Sequence, residues 1–85
     1  MHVISKKKLK IFWEKHPGSK NTLTAWFNTM RGGKFKTFHE LKEQAFGTAD
    51  QVGKKIVFDI GGNKYRLIAV IHFNRQKVFI RNVLT

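Results

Sequence analysis

Hydrophobic positions along the chain change period once, and the change divides it into a helical half and a strand half. In the first half Leu9, Phe12 and Trp13 recur at helical spacing among lysines, which predicts a helix from Lys6 to about His16. His2-Val3-Ile4-Ser5 ahead of it reads as a short opening strand, with Ser5 also placed to cap the helix. Pro17-Gly18 stops that helix. A second begins at Asn21 or Thr22, where Leu23, Trp26, Phe27 and Met30 form an i, i+3, i+4, i+7 stripe, and Gly32-Gly33 ends it just after Arg31. Thr37 is placed to cap a short third helix carrying Phe38, Leu41 and Ala45, closed at Phe46-Gly47.

From Lys54 onward the period falls to two. Ile56, Phe58 and Ile60 alternate with Lys55, Val57 and Asp59, a strand pattern. Gly61-Gly62-Asn63 is a turn, because Gly and Asn tolerate positive φ. Lys64 to Asn74 is a longer strand, Arg75-Gln76 a tight connection, and Lys77 to Thr85 a third strand. The order β-α-α-(α)-β-β-β predicts an α+β fold in a single domain, residues 1–85. In it a short N-terminal strand and two to three helices pack on one face of a C-terminal antiparallel sheet.

Alternation assigns the strand residues to faces. Tyr65, Leu67, Ala69, Ile71 and Phe73 share one face with Ile56, Phe58 and Ile60 and with Val78, Ile80 and Leu84, so this face packs on the helices. The opposite face receives Lys55, Asp59, Lys64, Arg66, His72, Lys77, Arg81 and Thr85, with Val57, Ile68, Val70, Phe79 and Val83 between them. Cations set among apolar side chains suit phosphates and stacked bases. The competing reading is an ordinary solvated sheet face. Arg66, flanked by neighbours on the middle strand of the meander, sits least easily with that alternative.

Composition adds charge to this picture. Seventeen Lys and Arg against five Asp and Glu give a formal net charge of +12, which attracts nucleic acid, an anionic membrane or an acidic protein. A hydrophobic content of 41% is too high for a disordered basic tail. The absence of cysteine excludes disulfides, thiolate metal sites and a Cys nucleophile, and is compatible with a reducing cytoplasm. No run approaches the ~20 apolar residues of a membrane span, and no signal-peptide core follows the basic start. A cytoplasmic protein without a membrane partner is therefore the expectation. His2, His16, His39 and His72 have no metal-ligand spacing, so neither metal nor cofactor is expected. Gly61-Gly62-Asn63-Lys64 lacks the nucleotide P-loop pattern. Lys6, Lys7 and Lys8, with Lys10, read either as contacts to RNA phosphates or as a solvated helix face. Trp13, Trp26 and Phe27 lie on the apolar stripes and read as core.

The run Asp59-Ile60-Gly61-Gly62-Asn63-Lys64-Tyr65-Arg66-Leu67-Ile68-Ala69, followed by Val78-Phe79-Ile80-Arg81-Asn82-Val83-Leu84-Thr85, strongly resembles the C-terminal half of HigB-type toxins. These belong to the RelE-like superfamily of toxin–antitoxin systems. Met1 to Ser5, the two helices and Phe38 to Asp50 follow the same layout, so the resemblance covers essentially the whole chain. It implies a RelE-like fold and a ribosome-dependent mRNA endonuclease, an mRNA interferase, acting in the ribosomal A site without metal. Arg66 falls on the family's Tyr-Arg arginine and is the first choice for transition-state stabilisation. Arg81 and Asp59 are further catalytic candidates, Asp59 either as a base or as a charge that repels RNA. Lys55, Lys64 and Lys77 join Lys6, Lys7 and Lys8 as candidate RNA contacts. Relatives continue past the equivalent of Thr85 into a His-containing segment that often supplies catalytic groups. The implied partners are mRNA, the ribosome and a cognate HigA-like helix-turn-helix antitoxin with an acidic surface, the toxin alone being a monomer. A non-catalytic RNA- or ribosome-binding module is the alternative. A DNA-binding regulator ranks last, because the second helix has only Arg31 as a cation.

Overall fold

The computed structural model describes residues 1–85. Five strands, β1 (His2–Ile4), β2 (Asp50–Val52), β3 (Lys55–Ile60), β4 (Tyr65–His72) and β5 (Lys77–Leu84), form one sheet in the order β1-β5-β4-β3-β2. The three C-terminal strands are the antiparallel meander that the alternation predicts, with β4 at the centre. Two short strands complete it. β1 joins β5 in parallel, with Val3 beside Val78, and β2 forms a hairpin with β3 across Gly53, whose φ of +62° that turn requires. β2 is absent from the sequence reading, and its three residues show why: all are exposed, so no hydrophobic alternation marks them.

Three helices, α1 (Lys7–Lys15), α2 (Lys20–Gly32) and α3 (Phe38–Gln44), all contribute to a single core. Leu9, Leu23, Trp26, Met30 and Leu41 bury there against Ile56, Phe58, Ile60, Leu67, Ala69, Val78 and Ile80. Phe58 is enclosed in it, its ring in edge-to-face contact with Trp26 and Phe46 at centre-to-centre distances of 5.4 and 5.0 Å. Trp13 and Phe27 pack on the margin of this core. The Met1 ammonium donates to the carbonyls of Met30, Arg31 and Gly33, fastening β1 to the negative end of the α2 dipole.

Helix starts differ from expectation in two places. Ser5 does not cap α1: its φ is +74°, its side chain makes no cap bond, and Lys6 holds the N-cap position. The chain turns so sharply out of β1 that Ser5 is spent on the left-handed bend. α2 starts at Lys20, because a 3-10 turn over Pro17–Ser19 leads straight into it. Thr37 does cap α3, its Oγ1 accepting from the Glu40 N–H at 3.2 Å. The turn at Gly61-Gly62-Asn63 has φ values of 63°, 63° and 73°, as predicted.

The largest correction lies in β5. Ile68 pairs with Asn82, but its neighbour Ala69 pairs with Ile80, leaving Arg81 as the extra residue of a β-bulge. A bulge reverses the parity of everything beyond it. Val83, expected on the open face, therefore packs on the core, while Leu84, expected in the core, is exposed and stands opposite Arg66. β4 also ends at His72, and Phe73–Arg75 form a 3-10 turn in place of the last strand residues. Gln76 takes the left-handed conformation, φ 54°, to bring the chain back into β5.

Candidate functional site

Because every helix packs on one side, the other side of the sheet carries none. Cross-strand pairing arranges its residues in rows. At one end Asp59, Arg66 and Leu84 lie side by side on β3, β4 and β5. Next come Asp50, Val57, Ile68 and Asn82. Val70, Phe79 and Ile4 form the row beyond, beside Lys55 on β3, and Lys77 flanked by His72 and His2 ends the series. Val57, Ile68, Val70 and Phe79 are half-buried and take no part in the core. The face thus has an apolar waist between two polar ends.

Arg66 sits in the central strand, where neighbours on both sides limit its freedom. Its Nη1 donates to Asp59 Oδ1 at 3.1 Å, a contact between half-exposed guanidinium (55%) and largely covered carboxylate (22%). With its amide nitrogen toward β3, Asn63 in the turn donates to the same carboxylate, 3.3 Å from Oδ1 and 3.0 Å from Oδ2. Asp59 is therefore surrounded by donors that fix it, and it fixes Arg66 in turn. The remaining guanidinium N–H groups stay open to solvent, and a planar, permanently charged fork is suited to two phosphate oxygens. From the sequence Asn63 has only a turn role. Its place four residues after Asp59 across a tight Gly-Gly turn is the signal that pointed further.

The other predicted residues divide into groups. Lys55 and Lys77 lie on the open face, but toward the end away from Arg66. Lys64 belongs to the turn rather than to β4, next to the Asp59–Arg66 pair in sequence and exposed. Arg81, at the bulge, does not stand opposite Arg66. β1 pairs only with Lys77–Phe79, so the rest of β5 has no strand beyond it, and α1 runs there instead. Lys8 Nζ donates to the Arg81 carbonyl at 3.1 Å, and Lys8, Ile11, Phe12 and Lys15 form a groove with Arg81, Asn82 and Val83. Lys6 is turned the other way, its ammonium 4.4 Å from the ring centre of Phe27 on α2. Lys7 joins it with Lys10 and Trp13, so these two lysines are apart from the sheet face. No three His, Asp or Glu side chains converge on a common point.

Behind Arg66, its neighbour Tyr65 faces the helices. Phe12 meets the Tyr65 ring edge-on at 5.5 Å and stacks on His16 at 4.5 Å, which ties the end of α1 to the start of β4. The site strand is thus anchored on the covered side by aromatic packing and on the open side by the Asp59 carboxylate.

A family model described as HigB_toxin, the RelE-like toxic component of a toxin–antitoxin system, matches residues 19–85. Over 88 aligned positions the chain is 41% identical to the mRNA interferase toxin HigB of Escherichia coli K12, covering all of this chain and 84% of that protein. The mRNA interferase HigB of Shigella flexneri shows the same identity and coverage. That of Escherichia coli O6:H1 is 30% identical over 98% of this chain and 82% of its own length. Family match, fold and whole-chain similarity agree: the chain belongs to the HigB family of RelE-like toxins of toxin–antitoxin systems.

Proposed function

We propose that this protein is an mRNA interferase, an endonuclease that cuts mRNA in the ribosomal A site and so arrests translation in the cytoplasm. The observation that supports this reading best is Arg66, held by Asp59 at the end of an uncovered basic sheet face with its free N–H groups turned outward. The relatives' names point the same way. In the reaction the RNA's own 2′-hydroxyl oxygen attacks the adjacent phosphorus, and the bond to the 5′-oxygen of the next nucleotide breaks. A proton leaves the 2′-hydroxyl and another reaches the departing 5′-oxygen, giving a cyclic phosphate and a free 5′-hydroxyl. Nothing in this sequence of bonds requires a metal. The protein's task is to hold the strand in line and to neutralise charge on the phosphorane.

In this reading Arg66 grips the phosphorane, Arg81 at the bulge reaches a flanking phosphate, and Lys64 adds charge at the turn. Asp59 acts as a positioning residue rather than as the base, because its oxygens already accept from Arg66 and Asn63. Lys8, beside Arg81, and Lys6 and Lys7 on the helical side are contacts for ribosomal RNA. The partner that silences the toxin, a monomer on its own, is a HigA-like helix-turn-helix antitoxin, whose acidic surface matches the +12 charge. The test is primer extension on a reporter mRNA translated in vitro with this protein. New 5′ ends that require both ribosomes and Arg66 support the proposal. Ribosome binding without new ends would favour a non-catalytic binding module.

A further inference from the structure

The end of the open face away from Arg66 carries a second cluster of basic side chains. Lys77 on β5 pairs with His2 on β1 and with His72 on β4, so the three side chains stand in one row across three strands. Lys55 stands in the adjoining row, beside Val70 on β4, with its side chain exposed. His2 and His72 are also exposed. Phe79 lies in the middle of this group, half-buried, with the His72 ring against it at 5.2 Å and 74°. No acidic side chain pairs with any of the four, whereas Arg66 at the other end is tied to Asp59. Four unpaired basic groups around an aromatic ring are the combination that holds a nucleic-acid phosphate next to a stacked base.

We infer that His2, Lys55, His72 and Lys77 form a second phosphate subsite, with Phe79 as its stacking platform, for the same RNA strand that Arg66 engages. The inference rests on the proposed function, because it takes RNA to cross this face. His72 lies six residues along β4 from Arg66, about 20 Å of strand. The intervening surface is the apolar waist of Val57, Ile68 and Val70, with Asn82 at one margin and the exposed Asp50, near Lys42, at the other; it offers bases a place to lie and, between Arg66 and Lys55, no cation for a phosphate. The single-stranded segment bound is therefore several nucleotides long. It is anchored at both ends, and the bases between lie against the waist.

Two non-cleavable 2′-O-methyl oligonucleotides, of three and eight nucleotides, measure this by fluorescence anisotropy over a range of salt. The eight-mer should bind at least tenfold more tightly than the three-mer to the wild-type chain. In a His2→Ala/Lys77→Ala/His72→Ala variant that advantage should fall to less than threefold. The slope of log K against log salt for the eight-mer should drop by about 0.7 for each phosphate that the variant no longer neutralises. Lys20→Ala, on α2, controls for general charge and should keep the advantage. Phe79→Leu should cost part of it without changing the slope. Equal binding of the two lengths by the wild type overturns the subsite, as does an undiminished advantage in the triple variant. Primer extension with Arg66→Ala separates the readings. Loss of cleavage there, together with an undiminished length advantage in the triple variant, removes the subsite and leaves the proposed function standing.

Discussion

Asp59 and Arg66 are direct cross-strand partners on β3 and β4, and the 3.1 Å contact between them joins the one acidic and the one basic group in their row. Such a pair on a half-exposed surface adds little to stability. What it does is aim the guanidinium.

Arg66→Ala should therefore leave the fold intact and remove function. Thermal unfolding is expected to stay within about 0.5 kcal/mol of wild type, the ordinary range for an exposed position. Ribosome-dependent cleavage should fall by roughly 10²–10³, the loss typical of one preorganised donor to a developing oxyanion. Calorimetry reads the first quantity, and single-turnover cleavage on a programmed ribosome reads the second.

Asp59 separates positioning from proton transfer. Asp59→Asn keeps an acceptor for the Arg66 N–H, whereas Asp59→Ala removes it. If Asp59 positions, the Ala variant should lose about tenfold in cleavage rate, close to 1.4 kcal/mol, and the Asn variant clearly less. Equal and near-complete loss in both would assign Asp59 the base role instead.

The bulge at Arg81 is checked by opposite outcomes at adjacent residues. Val83→Lys should destabilise by about 2 kcal/mol, because it forces a charge against the core. Leu84→Lys, on the other face, should fall within about 0.5 kcal/mol of wild type. Denaturant melts that reversed this order would mean a regular strand in place of the bulge.

Phe58→Ala tests the core. Phe58 is fully enclosed, with Trp26 and Phe46 against its ring. A loss of about 3–5 kcal/mol is expected for a buried Phe. In a domain of this size that lowers the melting midpoint by at least about 12 °C. Calorimetry should show it.

Much of this was legible because strand and helix periods are distinct. Leu23, Trp26 and Met30 repeat on one side of α2, Ile56, Phe58 and Ile60 alternate cleanly, and Gly61-Gly62-Asn63 admits little but a turn. The same alternation puts Arg66 on the open face. What escaped were features that depend on a partner strand. Nothing local in Val78 to Leu84 reports a bulge, because Val, Ile and Leu satisfy either parity. The residue that breaks the register, Arg81, is exposed in both readings. β2 escaped because Asp50-Gln51-Val52 buries nothing, and its pairing is held by backbone bonds. Ser5 satisfied the chemistry of a helix cap, but the bend between β1 and α1 claimed its backbone. The Asn63–Asp59–Arg66 arrangement needed the hairpin to fold before three separated residues became neighbours.

The division of the sheet into a covered and an open face has an evolutionary consequence. Successive residues of β3, β4 and β5 alternate between building the core and meeting the outside, so a point substitution alters one without the other. A single-residue insertion or deletion does not, since it exchanges the two sets from that point onward. The strand half should thus drift by replacement and resist change in length. Arg81 is the exception: the ladder already carries one residue too many there, so its deletion would straighten β5 and leave every later side chain on its present side.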